Sequence, residues 1–227
     1  MTNGELPTQR HSRADEAELI NDPIMKAEAE ALNGLRQYDA GLATIQIALD
    51  RGAFKLRLSH ILGLQREALA GISSYAGNFR PAGVKIEGST HEPPGAHMVP
   101  ELIEELCDYV NDNWASATAI HLASYVMWRL NWIHPFADGN GRTSRIASYV
   151  VLCIRLGAVL PGLPTIPDQI TRNRQPYFDA LDAADAAFRD GRIDVSKMEE
   201  LLSAMLAKQL TGAYEQAGGH VPTGDAS

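Results

Sequence analysis

The chain has 227 residues, 45% of them hydrophobic and 21% charged, which suits a soluble globular protein with room for a full-sized core. A formal net charge of −8 repels polyanions, so nucleic acid is excluded as the main partner and any phosphate site must be a local cluster of Arg and Lys. The two cysteines, Cys107 and Cys153, sit in apolar helical patterns, as reduced core thiols do, which argues against a disulfide framework and for a cytoplasmic setting.

In chain order, residues 1–22 read as a flexible polar arm that lacks the basic and apolar regions of a secretory signal. Residues 23–55 form a helical extension: Ile24, Ala27, Ala31, Leu35, Leu42, Ile45 and Leu49 recur at helical spacing behind Pro23, as one long helix or two short ones. A second helical pattern covers Leu56 to Ile72. From Gly77 to His97 glycine and proline break the rhythm, leaving a short alternation around Val84, Lys85 and Ile86 that predicts a small β-hairpin flap. Helices follow from Pro100 and from about Ser116 to Trp132, the latter apolar on most sides and hence buried. Another begins at Ile146, and two more fit Pro167 to Phe188 and Val195 to Leu210, before a tail over 211–227. The apolar run from Ile146 to Leu163 is broken by Arg155, Gly157 and Pro161, so no membrane span is expected.

Between two apolar helices stands His134-Pro135-Phe136-Ala137-Asp138-Gly139-Asn140-Gly141-Arg142-Thr143-Ser144-Arg145, a run of polar groups that an apolar core cannot accept without partners. Gly139 and Gly141 allow successive N–H groups to converge where the next helix presents its positive end, which makes an anion nest. Arg142 and Arg145, three apart, add two forked donors on the same side of the first turn. Asp138 offers one hard oxygen ligand, enough for a Mg ion that arrives with nucleotide phosphates. His134 is the natural group to take a proton from an attacking hydroxyl, Phe136 to anchor the loop, and Asn140 either to brace the turn or to donate to a phosphate. Each residue alone reads as an ordinary turn or surface residue. Their coincidence in one short segment points to a phosphate-handling site.

At these residues the sequence resembles the Fic/Doc family, with a complete match to its His-Pro-Phe-x-Asp-Gly-Asn-Gly-Arg-x-x-Arg motif. The resemblance implies a mainly α fold, a Fic-type helical bundle with a flap, over residues 56–210. It implies a Mg2+-dependent protein adenylyltransferase that moves AMP from ATP to a Ser, Thr or Tyr hydroxyl of a target protein. His134 would be the general base and Asp138 the metal ligand, with Gly139, Asn140, Gly141, Arg142 and Arg145 holding the phosphates. Gly141 favours the AMP-transferring branch, since the phosphorylating branch typically carries Lys there. Transfer of UMP, phosphocholine or bare phosphate, and a non-catalytic nucleotide- or protein-binding module, are the alternative readings.

The resemblance continues outside the motif. Ala76-Gly77-Asn78-Phe79-Arg80 is similar to a family turn, and Val84, Lys85 and Ile86 occupy the place of its flap, where a target strand would be clamped by strand addition. Tyr177 falls in an element that lines the adenine pocket, and Asp185 stands where some members have an adenine-contacting Asn. Many members carry an inhibitory helix whose Glu pairs with the second motif Arg; Glu215 and Glu16 sit in loose copies of that pattern, and an antitoxin-like chain is the alternative source. The sequence leaves open whether the protein is a homo-oligomer.

Overall fold

The structure is a computed structural model that describes residues 12–13 and 18–219. Eight helices carry the described residues: α1 Pro23–Arg51, α2 Leu58–Leu69, α3 Val99–Asp112, α4 Ala119–Ile133, α5 Asn140–Leu156, α6 Ile166–Arg172, α7 Gln175–Arg189 and α8 Ser196–Gln216. The mainly α expectation holds.

α1 is one continuous helix. Asp22 Oδ1 accepts from the N–H groups of Ile24 and Met25 at 2.9 and 3.0 Å, Pro23 occupies the first turn, and Gly52 in the left-handed region ends it at φ 62°. Its buried stripe is Asn33, Gln37, Gly41, Ile45 and Ala48. The polar half of this stripe is tied to α2 by Asn33 Nδ2 donating to the Ala70 carbonyl at 2.8 Å and Gln37 Nε2 donating to the Leu64 carbonyl at 3.1 Å. Gly41 lets α1 lie against α5, where a Cβ would come within 3.0 Å of Ile146 Cγ2.

α4 and α5 form the centre of the molecule as a helical hairpin. Both are buried nearly all round, with Trp128, Leu130, Ile133 and Leu152 fully enclosed. Phe136, between them, is 0% exposed and lies 6.0 Å from the Phe79 ring, a burial that contributes about 1.5–3 kcal/mol. The helices therefore hold the motif turn from both sides.

Three features differ from the sequence expectations. The periodic stretch from Pro167 to Phe188 is two helices, because Asn173 is extended (φ −142°) and Pro176 cannot donate to a preceding turn. α8 runs through Gln216 into the segment expected as tail; Gly212 passes the Leu163 carbonyl at a point where a Cβ would lie 3.1 Å from it, and the helix ends before Gly218. The strand of the flap, β2 at Lys85–Ile86, pairs with β1 at Ser12–Arg13, antiparallel with Ser12 opposite Ile86 and Arg13 opposite Lys85. The Gly- and Pro-rich segment around β2 has no second run able to form a ladder, so the partner comes from the N-terminal arm.

Candidate active site

The motif turn opens into a cleft of about 950 Å³, at the upper end of the range for small-molecule sites. His134, Asp138, Gly139, Asn140, Gly141, Arg142, Arg145 and Tyr177 all line it, together with Ile86 and His91 from the flap side and Glu30 from α1.

His134 caps α4 in the left-handed conformation, φ 51° and ψ 58°, with its N–H donating to the Leu130 carbonyl at 3.0 Å. Such a conformation in a residue with a side chain costs of order 1–3 kcal/mol and persists only where neighbours enforce it. Arg80 does so: its Nε donates to the His134 carbonyl at 2.7 Å and its backbone N–H donates to the Pro135 carbonyl at 2.9 Å. The remaining guanidinium nitrogens donate to the carbonyls of Ala82, at 2.9 Å, and Pro94. One side chain thus fixes both the base of the flap and the turn that aims His134.

The imidazole Nδ1 lies 3.2 Å from the Asn131 carbonyl, so it carries the proton and leaves Nε2 with a lone pair. Burial pushes the His134 pKa down to about 4, with the Arg80 charge adding to the effect and the Asn131 hydrogen bond opposing it. At neutral pH the ring is a neutral proton acceptor.

The turn after it is braced by Asn140, whose Oδ1 accepts from the Phe136 N–H at 2.9 Å while Nδ2 donates to the Phe136 carbonyl at 2.8 Å. Of the two roles open to Asn140, its side chain takes the bracing one. Gly139 has φ 80°, and a Cβ there would meet Leu69 Cδ2 at 2.7 Å, so both conformation and packing demand glycine. The N-terminus of α5 begins at this point, where Gly139 supplies no side-chain cap, and its positive end faces the cleft.

Asp138 Oδ1 accepts from the Gly139 N–H at 2.6 Å and Oδ2 lies 3.3 Å from Arg142. Arg142 also reaches Glu30 at 3.5 Å. Arg145 is different: no carboxylate comes within ion-pair distance of it among the described residues, burial draws its pKa down, and the Tyr177 phenol beside it opposes that shift. The Tyr177 hydroxyl is itself buried, and among the described residues it makes no well-formed hydrogen bond beyond its approach to this guanidinium. A largely desolvated guanidinium beside a phenol hydroxyl, both lining the cleft, offers N–H and O–H donors to an anion.

As a donor set for a metal, Asp138 stands alone; no group of three or more His, Cys, Asp or Glu gathers anywhere among the described residues. A lone carboxylate, partly exposed at the edge of an anion nest, fits a Mg ion carried in by phosphate oxygens and does not fit a resident protein-held metal.

The flap presents Val84 buried, Lys85 exposed and Ile86 half-buried toward the cleft. Behind it, His91 Nε2 lies 2.7 Å from the Trp132 carbonyl, and its Nδ1 is 3.7 Å from Asp185. Asp185 accepts from the Trp128 indole N–H at 2.8 Å, and burial raises its pKa. This residue therefore joins α4, α7 and the flap segment at the cleft wall. Glu215 is exposed on the last turn of α8 and does not line the cleft, while Glu16 lies outside the described residues. Arg80, Glu30 and His91 were not singled out from the sequence as site residues. Only Arg80 had a signal, its place at the end of the Gly-x-Phe-Arg turn.

The Fic/DOC family model matches residues 55–152, the stretch that spans α2, the flap, α3, α4, the motif and most of α5. Across those residues the chain is similar to the Fic/DOC family. Over 100 residues, 43% of this chain, it is 33% identical to "Protein adenylyltransferase Fic" of Drosophila willistoni, and over 154 residues, 67% of this chain, it is 29% identical to the protein of the same name from Aedes aegypti. The matched stretches amount to 20% and 29% of those two relatives, so the chain spans under a third of their length. The fold also matches solved structures. One is a Fic-domain-containing signaling protein from Bacteroides thetaiotaomicron, with TM-score 0.66 and 21% identity over 83% of this chain and 74% of that one. Another is Fic-1 from C. elegans, with TM-score 0.67 and 19% identity over 88% and 54%. No helix among the described residues is long and apolar enough to cross a membrane.

Proposed function

We propose that the chain is a protein adenylyltransferase that moves AMP from ATP to a Ser, Thr or Tyr hydroxyl of a target protein. The observation that carries this reading is that a neutral, buried His134 and an Arg145 with no carboxylate beside it among the described residues line one cleft. A binding module needs a cation for its anion but has no use for a strained, proton-accepting imidazole.

In this reading the triphosphate lies on the α5 N-terminus, with Arg142 and Arg145 on its oxygens. His134 Nε2 takes the proton of the target hydroxyl, whose oxygen bonds to the α-phosphorus as the bond to the bridging oxygen breaks and pyrophosphate leaves. The Arg pair stabilises the charge that develops on that leaving group. When bound, Mg2+ supplies Lewis-acid charge at the phosphates, and Asp138 is the residue that would hold it. The base lies on the Tyr177 side of the cleft, where Phe178 and Leu181 add apolar wall.

The names of the relatives from Drosophila willistoni and Aedes aegypti support the choice of AMP over other groups, as does the glycine at position 141, where the resemblance puts Lys in phosphorylating members. Mass spectrometry of acceptor proteins after incubation with equal ATP, GTP, UTP and CTP tests the choice. Adenylyl adducts are expected; phosphoryl adducts, or uridylyl adducts in excess, contradict it.

A further inference from the structure

Backbone pairing between β1 and β2 joins two segments that lie far apart in sequence, and it does so at the mouth of the cleft. β2 is built as an edge. Val84 is buried and anchors it, Lys85 faces solvent, Ile86 turns toward the cleft, and the flanking Gly83 and Gly88 offer no strand of their own. An edge of this kind binds any extended backbone, because the ladder groups are the same in every sequence.

The arm that pairs with it is held at a second point. The Leu19 N–H donates to the Ile72 carbonyl at 2.9 Å, Glu18 bridges to Ser73, and Ile20 packs on the small cluster of Ala68, Leu69 and Ile72. Glu18 and Ile86 both line the cleft, so the arm's downstream anchor and its strand stand at the same opening.

We infer that this chain's own residues 12–13 are the resident occupant of the β2 edge, so that a target strand added at the flap must displace the arm before its hydroxyl reaches His134. The inference rests on the transferase reading for its consequence and on the β1–β2 pairing for its existence. A ladder two residues long is the weakest form of strand addition. Its tether gives it a high effective concentration, which excludes chance contacts, while a longer incoming strand gains more backbone hydrogen bonds and wins. The arm thus sets a threshold on target length and extension while asking nothing of target side chains.

The test uses the full chain and the variant Ser12→Pro/Arg13→Pro, which removes the backbone N–H of each paired residue of the arm and so whichever of them enters the ladder. Hydrogen exchange at residues 84–89 is compared, and a fluorescent peptide with the sequence of residues 8–17 is titrated into each protein. The expected result is exchange at least several-fold faster in the variant and peptide binding about tenfold tighter, with ATP affinity unchanged. Equal exchange in the two proteins, or equal peptide affinity, overturns the inference. Neither readout needs turnover, so a lack of transfer by either protein would count against the adenylyltransferase reading alone. Where transfer to lysate proteins is seen, the variant should be the faster enzyme.

Discussion

Arg80 Nε donates to the carbonyl of His134 at 2.7 Å, and that single bond ties the aim of the imidazole to the base of the flap. The same guanidinium serves Ala82 and Pro94, so loss of the side chain leaves three carbonyls without their donor. Arg80→Ala should cost roughly 2–4 kcal/mol of stability. At a temperature where it remains folded, kcat should fall at least tenfold while ATP affinity changes little. Arg80→Lys, which keeps the charge but not the fork, should recover little of the rate. Calorimetry together with nucleotide titration separates a positioning role, with kcat lost and ATP binding kept, from simple unfolding, in which both vanish.

The low His134 pKa gives a second prediction. The folded value, about 4, lies below the ordinary 6.5, so between those values the unfolded chain binds a proton that the folded chain does not. Stability contributed by this group is complete above 6.5 and falls as pH drops toward 4, with a slope of up to ~1.4 kcal/mol per pH unit. Denaturant titrations from pH 7 downward should show a shallower decline for His134→Ala than for the native chain. In the native enzyme, the acid limb of kcat/KM should lie well below the ordinary histidine value. A limb near 6.5 would mean that the imidazole is solvated.

Glu30 shares Arg142 with Asp138, at 3.5 and 3.3 Å. Part of a cation intended for phosphate is therefore already neutralised from α1. Glu30→Gln should tighten ATP binding about two- to fivefold, the equivalent of an exposed ion pair worth ~0.4–1 kcal/mol, and the gain should shrink at high salt. Isothermal titration at two ionic strengths measures both.

Asp185 offers a test of the cleft wall. Asp185→Ala removes the acceptor of the Trp128 indole N–H and should destabilise the protein by about 1–3 kcal/mol, whereas Asp185→Asn retains an acceptor oxygen and should cost much less. If the carboxylate also faces the base of the nucleotide, the Asn variant should change the ratio of ATP to GTP use with little change in melting temperature.

Much of this site was legible in the sequence, because its chemistry is packed into one turn whose residues place one another. The left-handed Gly139, the Asn140 brace and the paired arginines all act within a few positions, and short-range geometry can be read from spacing. Arg80 was harder. Its partners are backbone carbonyls, which no residue type announces, and they come from three separate segments. Glu30 depends on which face α1 turns to the motif, and that is fixed by Gly41 against Ile146 and by the Gln37 hydrogen bond to α2, both tertiary contacts. The pairing of Ser12–Arg13 with Lys85–Ile86 had no turn between its strands to signal it. Conversely, the break between α6 and α7 was present in the sequence as Pro176, and helical periodicity on either side concealed it.

The most direct test of the central claim is transfer from ATP labelled at the α or the γ phosphate, with Mg2+, lysate proteins as acceptors, and the native chain beside His134→Ala. Label should move from the α position only, and the variant should lose about 10²- to 10⁴-fold in rate while binding ATP as the native protein does. Transfer from the γ position, or an equal rate in His134→Ala, would contradict the assignment of His134 as the base of an adenylyl transfer.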